Sequence, residues 1–99
     1  MDIRINTVKF DADKKLIQFV QTKVKKLSRF FDDIVSADVF LKLENTQDLE
    51  NKIVEIKLEI PGNNLFSNKK SKTFEEATDN AVDALKLQLI KRKEKMRGM

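Results

Sequence analysis

The chain has 99 residues and 11.5 kDa, with 40% apolar and 36% charged side chains; this balance supports one packed domain over residues 1–99 under an ionic surface. It contains no cysteine and no histidine, which excludes disulfides, thiolate metal sites, cysteine nucleophiles, imidazole bases and serine–histidine triads together. Twenty lysines and arginines against sixteen acids leave +4 at pH 7, and the excess is segregated into two basic blocks, residues 14–31 and 86–99, that flank an acidic middle.

Met1-Asp2-Ile3-Arg4-Ile5 lacks the basic-then-apolar order of a secretory signal, and no apolar run approaches the roughly 20 residues a membrane helix needs. A cytoplasmic protein with no membrane partner is the expectation. From Ile3 to Phe10 the apolar residues begin at period two and then drift, which predicts a strand with a bulge near Thr7. Asp11 or Asp13 offers an N-cap. Leu16, Val20, Val24, Leu27 and Phe31 follow at helical spacing, so a helix is predicted from Lys14 to Phe31, broken at Asp32-Asp33.

Val35, Ala37, Val39, Leu41 and Leu43 then alternate with polar or outward positions as a half-buried strand, and Glu44 to Glu50 reads as a loop. Val54, Ile56, Leu58 and Ile60 alternate with Glu55, Lys57 and Glu59 in the clearest strand pattern of the chain. Pro61-Gly62-Asn63-Asn64 predicts a turn, because proline fixes φ and glycine or asparagine tolerates positive φ. Leu65 to Lys70 returns as a short strand. Thr73, with Glu76 three residues later, has the capping-box pattern and opens a long helix whose stripe is Phe74, Ala77, Ala81, Leu85, Leu89 and Met96. The fold class is therefore α+β: β-α-β-β-β-α in two layers, a four-stranded antiparallel meander with both helices packed on its apolar face.

The first helix carries no acid between Lys14 and Phe31. On a helical wheel Lys14, Lys15, Lys25, Lys26 and Arg29 fall within about 120° opposite the apolar stripe, with Gln18 and Thr22 between them. Two readings stand: a solvated lysine face, or a face built for a polyanion. Solvated faces usually mix signs to gain pairs at i,i+4, and a purely positive face forgoes them. The second helix has Glu75, Glu76, Asp79 and Asp83 early and Lys86, Lys91, Arg92, Lys93, Lys95 and Arg97 late. That order complements the helix dipole, yet the final turns are basic around more of their circumference than a dipole requires. Lys69, Lys70 and Lys72 just before this helix could extend the surface. Phosphate contacts of this kind position a protein without reading sequence.

Catalysis has little to work with. Most acids alternate with lysines on outward strand positions, two glycines cannot supply a phosphate-cradling loop, and Asp79 with Asp83 reads as a solvated helix face rather than a metal site. No catalytic residue, metal, cofactor or small-molecule substrate is expected.

Three segments carry a family resemblance in order and spacing: Phe19-Val20-Gln21-Thr22-Lys23-Val24-Lys25-Lys26-Leu27, Phe74-Glu75-Glu76-Ala77-Thr78-Asp79, and Leu85-Lys86-Leu87-Gln88-Leu89 with the lysines after it. From Ile3 to about Lys95 the chain resembles the short-form ribosome hibernation-promoting factors, also called ribosome-associated inhibitor A or sigma-54 modulation proteins. The resemblance implies a fold similar to double-stranded-RNA-binding domains. It also implies binding to the small ribosomal subunit in the mRNA and tRNA channel near the decoding centre, and silencing of the ribosome in stationary phase or stress. The family's rRNA-facing basic positions match Lys23, Lys26 and Arg29, then Lys91 and Lys95. Lys23 sits at the edge of the apolar stripe. Leu87 stands where an arginine often precedes the family's Gln-Leu pair, a contact that neighbouring Lys86 replaces in this reading. Before the second helix the family often has an acidic residue and an aromatic, where this chain reads Lys72-Thr73-Phe74.

The sequence reaches Met99 without the linker and C-terminal dimerisation domain of long family members, so ribosome pairing through such a domain is not expected. A partner hibernation factor is compatible with the resemblance. Two other functions fit the same features: a general double-stranded-RNA-binding module, from topology and charge, and a transcription modulator acting on a sigma factor, from the older family name.

Overall fold

A computed structural model describes residues 1–97, with the backbone alone for Met96 and Arg97; the expected roles of those two side chains lie outside the described residues. The order is β1 (Asp2–Val8), α1 (Lys14–Lys25) continued by a 3-10 turn (Lys26–Arg29), β2 (Ser36–Leu43), β3 (Lys52–Ile60), β4 (Asn63–Ser71) and α2 (Phe74–Arg97). The strands form one sheet in the order β1-β2-β3-β4. Both helices cover the same face, α2 over β3 and β4 and α1 beside it against β1.

The sheet is mixed rather than an antiparallel meander: β1 runs parallel to β2, and the other two pairs are antiparallel. The physical reason is the connection. A tight hairpin reverses a strand, whereas the α1 crossover carries the chain back to the starting end, so β2 sets out in the direction of β1. The expected bulge near Thr7 is also absent. The β1–β2 register runs unbroken from Asp2 opposite Ser36 to Val8 opposite Lys42. The drift in apolar spacing comes from the strand's end: Lys9 adopts φ 69°, and Phe10 leaves the sheet to stack on Phe74 at 4.7 Å between centroids.

Asp13 caps α1, its Oδ1 accepting from Leu16 N–H at 2.8 Å. The regular helix ends at Lys25, earlier than its apolar stripe, and tightens to 3-10 form through the last basic residues, where Ser28 Oγ donates to the Lys25 carbonyl at 2.8 Å. Thr73 caps α2 by accepting from Glu76 N–H at 3.1 Å. The β3–β4 turn has Ile60 opposite Asn63, so Pro61 and Gly62 alone make it, and Gly62 supplies φ 79°, the positive value that the second central residue of a type II turn requires.

One core lies between the layers. Val20, Val24 and Leu27 from α1 and its 3-10 extension meet Val39 and Leu41 of β2, Val54, Ile56 and Leu58 of β3, and Leu85 and Leu89 of α2, all fully buried. Ala37, Ala77 and Ala81 are buried too, and such small side chains let α2 approach the sheet closely. Val35, expected on the inward row of β2, is 54% exposed, while Ile34 is buried in its stead. Val35 precedes the first residue of β2 and only its backbone is engaged, donating to Glu59 O and accepting from Asp2 N–H.

Candidate nucleic-acid interface

The capped, acid-free α1 sets the first half of the interface. Its apolar stripe is locked into the core, so Lys14, Lys15, Lys25 and Lys26, with Arg29 of the 3-10 turn, are left exposed. Among the described residues none of these five makes an ion pair. Lys25 borders a shallow depression of about 430 Å³ lined also by Met1, Ile3, Gln21, Thr22 and Ser28, between α1 and the free edge of β1.

Lys23 behaves differently. Its Nζ lies 3.1 Å from Asp79 Oδ1 on α2 and 5.4 Å from the centroid of the Phe19 ring. Its position at the edge of the apolar stripe places it in the seam between the helices, where it ties one to the other. Asp79, considered alone as half of a metal pair with Asp83, is thus the lysine's counter-ion. No group of three or more carboxylates that could hold a metal occurs among the described residues.

The basic half of α2 divides into two rows. Lys86 places its Nζ 4.8 Å from the Phe30 ring centroid, and Lys93 lines, with Arg29, Phe30, Ile90 and Glu94, a cleft of about 230 Å³ between α2 and the end of the 3-10 turn. Spacings of four and seven residues put Lys86, Ile90 and Lys93 on one face of the helix, so this row joins Arg29 and the α1 surface. Gln88 reaches the other way, its Nε2 donating to the Phe66 carbonyl of β4 at 3.1 Å. Lys91 and Lys95 stand three and seven residues after Gln88, share its face of the helix, and are exposed. Glu76, Asp83, Leu87 and Glu94 form the ridge between the rows, with Leu87 60% exposed.

Arg92 faces inward. Its Nη2 donates to the Pro61 carbonyl at 3.1 Å, and its Nε is buried without a partner. It pins α2 to the β3–β4 turn, and the helix continues past that point to Arg97.

Of the eight lysines and arginines outside the two helices and the 3-10 turn, Arg4, Lys42 and Lys70 are ion-paired among the described residues. The face of the sheet away from the helices carries Arg4–Asp38 at 2.9 Å and Lys42–Glu55 at 3.0 Å. Lys70 Nζ lies 2.7 Å from Glu44 Oε2, and this hydrogen bond, supported by the charges of Asp48 and Glu50, holds its ammonium above the ordinary lysine range. Lys69 and Lys72 are exposed and unpaired among the described residues. Phe30 is the site-lining residue the sequence reading left out. Its signal was present: it adjoins the apolar stripe and follows Arg29 directly.

Comparison with known proteins places this geometry in context. The family model described as "Sigma 54 modulation protein / S30EA ribosomal protein" matches residues 3–97. The ribosome hibernation promoting factor of Azotobacter vinelandii is 34% identical over 95 residues, covering 96% of this chain and 85% of that one. A solved ribosomal subunit interface protein from Coxiella burnetii superposes with a TM-score of 0.84 at 20% identity, covering 95% of this chain and 99% of the other. The N-terminal domain of Thermus thermophilus Protein Y gives 0.77 at 24% identity, covering 90% and 96%.

Proposed function

We propose that this chain, which belongs to the sigma 54 modulation protein / S30EA ribosomal protein family, is a ribosome hibernation factor. It binds the rRNA of the small subunit in the mRNA and tRNA channel near the decoding centre and inhibits translation in stationary phase or stress. The observation that carries this reading is the exposed, acid-free basic surface of α1 and its 3-10 turn, left without ion pairs among the described residues, in a chain whose relatives bear the hibernation factor name. A packed helix that presents only cations gains from phosphate what it forgoes in intrahelical pairing. The role is that of a cytoplasmic binding protein without catalysis, cofactor or small-molecule substrate.

The test is co-sedimentation with purified small subunits against retention on a plain RNA duplex, over a range of monovalent salt at fixed magnesium. The reading expects binding to subunits that outlasts duplex binding and weakens steadily with salt, because each neutralised phosphate releases condensed counterions. Equal affinity for the duplex would make the chain a general double-stranded-RNA module. Salt-independent binding would remove the lysine–phosphate mechanism.

A further inference from the structure

A shallow depression of about 520 Å³ opens beside the first turns of both helices, walled by Phe10, Leu16 and Phe19 and rimmed by Asp11, Asp13 and Glu75. We propose that it is a docking site for an arginine-bearing basic segment of a small-subunit protein, so that the molecule meets protein at this end and rRNA along α1. The inference rests on the ribosome-binding reading and deepens it by naming a protein partner.

The sign of the site is the reverse of the molecule's. Three carboxylates border it with Lys15 alone against them, in a chain of net charge +4. None of the three makes an ion pair among the described residues. A phosphate chain is repelled here and a cationic peptide attracted. The usual role of acids at helix starts covers part of the set, since Asp13 caps α1 and Glu75 favours the first turn of α2. It accounts neither for Asp11, two residues ahead of the cap, nor for the aromatic walls. The carboxylates do not form a group able to hold a metal ion, so a ligand that meets them carries its positive charge on spaced groups.

The walls specify the cation further. Lys9 turns to φ 69° and Phe10 leaves the sheet there, one face of its ring stacked on Phe74. Phe19 already accepts a cation, with Lys23 Nζ 5.4 Å from its centroid. Rings beside carboxylates suit a guanidinium, which stacks on an aromatic face while its N–H groups fork to a carboxylate. Ala12 and Leu16 offer apolar contact to a neighbouring side chain. With α1 held against rRNA, the polycations within reach are the proteins that neutralise that RNA, which are rich in arginine and lysine for the same reason.

The absence of cysteine makes the test direct. Ala12→Cys in the depression and Thr22→Cys on the α1 face each give one attachment point for a benzophenone maleimide. Each labelled chain is bound to purified small subunits and irradiated, and the products are read by reverse-transcription stops for rRNA and by mass spectrometry for protein. Ala12→Cys is expected to mark an arginine- or lysine-rich segment of a ribosomal protein, and Thr22→Cys to mark rRNA. In solution, polarisation of a fluorescein-labelled peptide of alternating arginine and leucine is expected to report binding to the parent. Asp11→Asn with Glu75→Gln, at an unchanged circular dichroism melt, is expected to weaken it at least about fivefold through the loss of two exposed charge pairs; Asp13 is kept because it caps α1. Stops on rRNA from Ala12→Cys, or no product from it while Thr22→Cys marks rRNA, would overturn the docking site and leave ribosome binding standing. Peptide binding indifferent to the double substitution would overturn it too. No product from either label would remove the ribosome-binding reading along with it.

Discussion

Lys25, Lys26 and Arg29 project from the point where α1 tightens into its 3-10 turn, away from the buried Val24 and Leu27. Reversing all three to glutamate is expected to leave the circular dichroism spectrum and melt near those of the parent and to abolish co-sedimentation with small subunits, since three attractions to phosphate become three repulsions. A folded variant that still binds would exclude this surface. Lys23 belongs to a different experiment. Its pair with Asp79 is partly exposed at both ends, so a double-mutant cycle of Lys23→Ala and Asp79→Ala in urea is expected to return a coupling of about 0.2–1 kcal/mol. Subunit binding by Lys23→Ala should fall less than by Lys26→Ala. Charge type and wheel angle were enough to find the exposed cations of α1. The partner of Lys23 was not legible, because it comes from a residue 56 positions later whose approach depends on how two helices pack.

At the scale of elements, α2 combines an anchor and a display. Arg92 holds the Pro61 carbonyl while its neighbours face outward. Arg92→Ala is therefore expected to cost stability, about 1 kcal/mol for the lost hydrogen bond, and to leave subunit binding nearly intact at temperatures where it is folded. Lys91→Glu with Lys95→Glu should show the reverse: an unchanged melt and weakened binding. Truncation after Ile90 removes the anchor and the display together and should lower both. A binding loss in Arg92→Ala as large as in the lysine pair would mean that its guanidinium serves RNA rather than the turn.

Element positions were largely readable from period and caps, because each strand shows its apolar face and Asp13 and Thr73 announce the helix starts. Strand direction was not, since alternation is the same in parallel and antiparallel strands; the length of the α1 connection held that information. For α2 the order of acids and bases along the helix was readable but not the two sides its lysines serve, which required Gln88 to be seen at Phe66 and Lys86 at Phe30.

The whole molecule measures 48 × 24 × 18 Å with a radius of gyration of 13.9 Å, drawn out along α2, whose 24 residues extend roughly 36 Å. Its cross-section is comparable to that of an RNA helix, and its cations lie on flanks while the far face of the sheet is internally neutralised by Arg4–Asp38 and Lys42–Glu55. Such a body can fill a phosphate-lined channel and exclude tRNA by volume and charge together. The account then predicts an order effect: small subunits already carrying messenger and tRNA resist the protein, and empty ones accept it and thereafter refuse tRNA. The direct measurement is filter binding of labelled tRNA to programmed small subunits as the protein is titrated, with protein occupancy followed on the same samples. The account predicts that tRNA retention falls in proportion as protein occupancy rises; full tRNA retention on subunits saturated with the protein would contradict it.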